Sequence, residues 1–214
     1  MRAGAMIVGS RVQQGVLVLL LALIAAIAAV VVSRSQSPLG GAATRSSAFD
    51  GPTLPPGLRA ANFGLRDQNG KLVRLTQYRG RVVVLTFIHS LCHDACPFMV
   101  EQIKGALNSL PGGGREVPAI GVSVAAAEDT PRNRRRFIAK HEMAGRLEFL
   151  GGSASDLRHV WRDYAIQPVQ GPVDHSTFVL LLDKRGFERV GTPADQLTPE
   201  SLAHDISVLE RERA

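Results

Sequence analysis

Only two cysteines, Cys92 and Cys96, occur in the 214 residues of this chain. With no second pair, the usual four-ligand pattern of a structural zinc site is not available. No aromatic residues are interleaved with the basic ones and no nucleic-acid-binding motif is present, so nucleic acid is not an expected partner. No segment repeats, which argues against a solenoid or repeat array. Residues 1–34 contain three arginines and no acid, so half of the net charge of +6 sits there and the remaining residues carry only +3.

Charged and polar groups are also missing from Val16–Val32, a run of seventeen residues. That reaches the lower end of the length that crosses a bilayer as a helix, about 17–25 residues. The apolar stretch of a cleaved signal is usually shorter, about 7–15 residues. The run therefore reads as a single-pass transmembrane anchor, with a cleaved signal peptide as the alternative. Arg2 and Arg11 ahead of it favour a cytoplasmic N-terminus, although Arg34 and Arg45 lie on the other side. Either reading puts the rest of the chain on the extracytoplasmic (periplasmic or equivalent) side of the membrane, where disulfides persist.

Composition divides the chain into an anchor over 1–34, a Ser/Gly/Pro/Ala-rich flexible linker over 35–59 and a domain over 60–214. The domain opens with two short strands around Asn69-Gly70, within Phe63–Leu75. Val82–Phe87, Ala119–Val124, Leu147–Leu150 and Thr177–Asp183 read as buried strands. Gly186 turns the last of them into an antiparallel partner, Phe187–Val190. Helices are expected over Pro97–Leu110, from Thr130-Pro131 to about Glu142, over Ser155–Tyr164 and from Thr198-Pro199 to about Glu210. Alternating strands and helices closed by a hairpin and a helix describe a three-layer α/β domain with a mixed sheet, for which a thioredoxin-like fold is the natural candidate.

The cysteines stand in Leu91-Cys-His-Asp-Ala-Cys-Pro97, directly after a buried strand, where such sheets place their sites. With Pro97 as the first helical residue, Cys96 would be the N-cap, and the positive end of the helix would favour a thiolate. Thioredoxin-type motifs separate the cysteines by two residues; here there are three. On a continuous helix, positions i and i+4 hold their Cβ atoms about 5–6 Å apart, whereas a disulfide wants about 3.5–4.5 Å. A loop can close that gap, so a redox couple and a clamp for a soft ion such as Cu(I) both remain open. Two incidental buried cysteines are the third alternative. His175, in Asp174-His-Ser176, immediately precedes the longest buried strand, and a sheet can bring it beside the cysteine loop. On the sequence alone, a lone histidine is more often an ordinary surface or core residue than a ligand.

The motif Cys92-His-Asp-Ala-Cys-Pro97 matches Cys-x-x-x-Cys-Pro and is joined by further matching pieces. These are Asp129-Thr-Pro131 after Ser123-Val124, Tyr164-Ala-Ile166, and Asp174-His175-Ser176 followed by a strand and the Gly186 turn. On these residues the chain resembles the Sco/SenC family, membrane-anchored, thioredoxin-like copper proteins that serve cytochrome c oxidase assembly. The resemblance covers roughly residues 60–210 and the anchor. It departs from the family at His93, where many members carry proline, and at Ala125-Ala-Ala127, which replaces an Asp-Pro. It implies a copper ion held by Cys92, Cys96 and His175 and delivered to the binuclear copper centre of the oxidase's copper-bearing subunit. Other copper carriers or thiol reductases are further partners in that picture.

A thiol–disulfide oxidoreductase that keeps a partner's copper-ligating cysteines reduced is the competing function, using Cys92 and Cys96 as a redox pair. A thiol peroxidase is a weaker third. His93 reads as a solvent-facing loop residue or auxiliary ligand, and His89 as structural. Asp94 and Asp174 are either turn residues or groups that orient His175. His141, His159 and His204 are expected on solvated helix faces, as are Arg132, Arg134, Arg135 and Arg136; Trp161 and Tyr164 are expected in the core.

Overall fold

The computed structural model describes residues 48–168 and 178–213. The anchor expected at Val16–Val32 and the segment carrying Asp174 and His175 lie outside them. Among the described residues, no helix is long and apolar enough to cross a membrane.

Five strands form the central sheet: β3 Val83–Ile88, β4 Ala119–Ser123, β5 Leu147–Leu150, β6 Phe178–Leu182 and β7 Glu188–Pro193. Their spatial order is β5-β4-β3-β6-β7. The β3, β4 and β5 strands run parallel, and β6 and β7 antiparallel. A separate antiparallel hairpin, β1 Gly64–Arg66 and β2 Leu72–Arg74, precedes the sheet. Its turn needs a left-handed residue, supplied by Gly70 at φ 87°. Asp67 Oδ1 closes the same turn, accepting from the amides of Asn69 and Lys71 at 2.8 Å each.

Every residue of β3 is buried, and period-two alternation sends its side chains to two different cores. Val84 and Ile88 pack with α1 (Ala95–Ser109), α2 (Pro131–Lys140) and α4 (Pro199–Arg211). Val83, Leu85 and Phe87 pack on the opposite face with α3 (Ala154–Asp163) and the β1–β2 hairpin. Each fully covered large side chain, such as Phe87, Phe149 or Leu157, contributes about 1.5–3 kcal/mol to stability. The result is the three-layer α/β domain with a mixed sheet expected from the sequence. Trp161 and Tyr164 are in its core, and each anchors a polar tip: indole Nε1 donates to Ser123 O at 2.8 Å and the Tyr164 hydroxyl to Ala61 O at 2.7 Å.

Helix starts follow their capping residues. Thr130 Oγ1 accepts from Asn133 N ahead of α2, and Thr198 Oγ1 from Ser201 N ahead of α4. The α3 helix begins one residue earlier than expected because Ser153 and Asp156 form a reciprocal capping box.

Four expectations need correction. The α1 helix starts at Ala95, with Asp94 as its cap, so Cys96 is the second helical residue and Pro97 the third. Proline remains tolerable there because first-turn amides have no partner within the helix. Arg134 is buried at 4% exposure; it lies one helical turn before Phe137 and Ile138 and so shares their inward face. Its Nη1 donates to Arg66 O at 2.8 Å and Phe149 O at 2.7 Å. His141, one turn after Phe137, is buried by the same spacing, its ring 4.6 Å from that of Phe137 and its Nδ1 3.1 Å from Glu101. Finally, residues 48–59, assigned to the linker by composition, lie along the domain: Thr53 bridges Val190, Arg59 bridges Phe187, and Asp205 accepts from the amides of Asp50 and Gly51.

Candidate metal centre

The β3 strand delivers the cysteine loop at its carboxyl end, and α1 leaves from it. Cys96 is fully buried and Cys92 half-buried, with no disulfide between them. The backbone amide of His89 donates to Cys96 Sγ at 3.4 Å, fixing that sulfur against the end of the strand. A hydrogen bond links the Cys96 thiol to the Cys92 sulfur. That bond first, and burial second, push the Cys96 thiol well above its ordinary range, while the His89 amide acts in the opposite direction. That direction runs against the thiolate expected at a helix start: contact with Cys92 and desolvation both favour the protonated form of Cys96. Iodoacetamide at pH 8 is expected to label half-buried Cys92 at least about tenfold faster than Cys96, which is buried and whose raised thiol yields little of the reacting thiolate. Peptide mapping checks this, and equal labelling would contradict the assigned protonation.

Two acids in the segment between β4 and α2 hold the loop in place. Asp129 is buried; its Oδ1 accepts from Ser90 N at 2.7 Å and its Oδ2 from the Ser123 hydroxyl at 2.6 Å. One carboxylate thus clasps the cysteine loop to the neighbouring parallel strand. Glu128 adds a second link, 2.8 Å from His89 Nε2, which gives His89 the structural role expected of it. Sequence reasoning quoted Asp129 only as part of a motif. The available signal was an acid directly before a Thr-Pro helix start and six residues after a strand-end serine.

The remaining sequence candidates divide. His93 and Asp94 are exposed, and Asp94 caps α1 without a side-chain capping bond. His159 and His204 are exposed as expected. His175 and Asp174 are outside the described residues, but β6 begins only three residues after His175. In the antiparallel register Thr86 faces Val179, and the Thr86 hydroxyl donates to Phe178 O at 2.9 Å. The β6 strand therefore starts at the sheet end that carries the cysteine loop. Leu91, next to Cys92, and Phe98, two residues after Cys96, are 44% and 45% exposed. Among the described residues, one further group of potential ligands comes together, Asp50, His204 and Asp205. Asp205 is already committed to the amides of residues 50 and 51 and fastens the N-terminal strap.

Two sulfurs in contact at a loop-to-helix junction suit a soft, low-coordinate ion, and Cu(I) fits that donor set. Known proteins resemble the chain in sequence and in fold. A family model described as SCO1/SenC matches residues 53–210. A bovine mitochondrial SCO2 homolog is 29% identical over 136 residues, 59% of this chain and 50% of that protein, so the chain spans about half the length of that relative. Bradyrhizobium japonicum ScoI, solved with copper bound, superposes with a TM-score of 0.62 at 26% identity, covering 71% of this chain and 99% of that one. BsSco, described as a member of the Sco family of cytochrome c oxidase assembly proteins, shares the fold with a TM-score of 0.63 at 21% identity, over 74% of this chain and 97% of its own.

Proposed function

Because the chain belongs to the SCO1/SenC family, whose model matches residues 53–210, we propose that it is a membrane-anchored copper metallochaperone holding its cargo through Cys92, Cys96 and His175. The recipient in this reading is the binuclear copper centre of cytochrome c oxidase. The observation that carries it is the pair of contacting sulfurs at the carboxyl end of β3. Counting His175 with them is supported by the start of β6 at that same sheet end. Three residues of chain reach at most about 10 Å.

Two thiolates and an imidazole satisfy Cu(I) without enclosing it, which leaves room for a recipient's sulfur to enter as one of the donors leaves. Half-buried Cys92 is the accessible edge of the pair, and buried Cys96 the fixed one. Exposed Leu91 and Phe98 supply apolar surface beside the motif for a partner to cover during transfer. Residues 1–34 are the proposed anchor, with the domain on the extracytoplasmic side.

The oxidoreductase reading uses the same contact. A Cys92 thiolate would attack a partner's disulfide, and Cys96 would resolve the mixed disulfide, leaving this chain oxidised and the partner a dithiol. The discriminating experiment mixes the full chain, purified in a nonionic detergent and loaded with Cu(I), with the metal-free, prereduced copper domain of an oxidase subunit. Copper transfer to the prereduced domain is expected. No transfer, together with rapid reduction of the oxidised domain by the metal-free chain, would replace the chaperone with the reductase.

A further inference from the structure

At the other end of the sheet, a cleft of about 650 Å³ opens where β4 and β5 begin. A six-residue strand, β3, separates it from the cysteine loop by about 20 Å. Three arginines, Arg81, Arg115 and Arg146, line it against a single acid, Glu148, whose carboxylate is engaged by the Tyr78 hydroxyl. This concentration is local. Apart from the arginines at positions 2, 11, 34 and 45, the chain has 21 basic and 19 acidic side chains and is close to neutral.

Two of the three guanidiniums are fixed without being neutralised. Arg81 Nε donates to Glu116 O at 2.9 Å and its Nη2 to Arg115 O at 3.3 Å. Arg146 Nη1 donates to Asn108 Oδ1 at 2.6 Å and its Nη2 to Gly113 O at 3.0 Å. All four acceptors are uncharged oxygens, and among the described residues none of the three arginines takes part in an ion pair. Each held guanidinium keeps its charge and further N–H donors. Between them runs a glycine turn in which Gly112 and Gly113 have φ of 63° and 69°, and no heavy atom lies within 4 Å of where a Cβ would stand. The turn leaves that wall of the cleft bare, so a ligand can approach the backbone.

We propose that this cleft binds a phosphate-bearing anion. Phosphate oxygens match the fork of a guanidinium bidentately, and donors already held in position lose little freedom on binding. The volume is within the usual range of ligand sites, about 300–1,000 Å³. The phosphate can belong to a soluble polyphosphate or to an anionic phospholipid headgroup; the chemistry recognised is the same. The site is separate from the cysteines and independent of the copper reading.

The test is a calorimetric titration of inorganic pyrophosphate into the full chain in a nonionic detergent at low salt. Saturable binding is expected, weakened at least tenfold in Arg146→Gln and in Arg115→Gln. The Arg115 side chain makes no hydrogen bond among the described residues, so its loss leaves the fold intact, which an unchanged melting temperature confirms. Arg132→Gln, an exposed arginine of α2 outside the cleft, is expected to bind as the parent does. Doping the micelles with phosphatidylglycerol raises the apparent pyrophosphate Kd if headgroups enter the cleft, and leaves it unchanged if the site takes soluble anions alone; phosphatidylcholine is the control. Absence of saturable pyrophosphate binding, or an equal loss in Arg132→Gln and Arg115→Gln, would overturn the proposal.

Discussion

Changing Cys92 or Cys96 to serine is expected to abolish tight Cu(I) binding, reducing one copper per chain to none retained against a competing chelator. A hydroxyl is a hard, neutral donor, and removing one of two sulfurs takes away half of the soft ligation that Cu(I) prefers. Loss of an outer partner that merely orients a ligand costs about 10–100-fold in metal affinity, and loss of a ligand costs more. The two variants should differ in stability. Cys96→Ser places a hydroxyl in a fully buried site against the His89 amide and lowers the melting temperature. Cys92→Ser, at a half-buried loop position, leaves it nearly unchanged. Copper affinity of the parent should also rise with pH. The raised Cys96 thiol still holds its proton at neutral pH, and copper must displace it. The expected slope is about tenfold in affinity per pH unit for one proton released. Full copper retention by either serine variant, or an affinity flat with pH, would contradict the assignment.

The second large effect concerns His175. Replacing it with alanine is expected to weaken Cu(I) binding by at least about tenfold to a hundredfold, while disulfide exchange by the metal-free chain changes little. Exchange depends on thiolate fraction and access at the two cysteines, and the imidazole has no assigned part in it. Chelator competition and a thiol-exchange assay on the same preparation separate the two. Normal copper affinity with lost exchange activity would remove His175 from the metal site and favour the oxidoreductase.

What the sequence showed clearly was what local chemistry dictates. Thr130-Pro131 and Thr198-Pro199 announced their helices, Asn69-Gly70 and Gly186 their turns, and the largely apolar run before the cysteines its buried strand. The cysteine motif itself was plain, and so was its place at the end of that strand. The charge state of Cys96 was not. It depends on burial and on the neighbouring sulfur, and both arise from tertiary packing that no local pattern encodes. The inward turn of Arg134 and His141 was masked by their polarity, although their spacing from Phe137 and Ile138 already put them on the core side. Asp129 escaped attention because its partners, Ser90 and Ser123, belong to two separate strand ends. The arginine cleft was invisible for the same reason: Arg81, Arg115 and Arg146 are far apart in sequence and meet only once the parallel strands are aligned.

The most direct measurement of the central claim is X-ray absorption at the copper edge on the Cu(I)-loaded full chain, beside its His175→Ala variant. Two sulfur donors and one imidazole nitrogen are expected in the parent, with the imidazole scattering lost and both sulfurs kept in the variant. Identical spectra from the two proteins, or a copper environment with fewer than two sulfurs in the parent, would contradict the site of Cys92, Cys96 and His175.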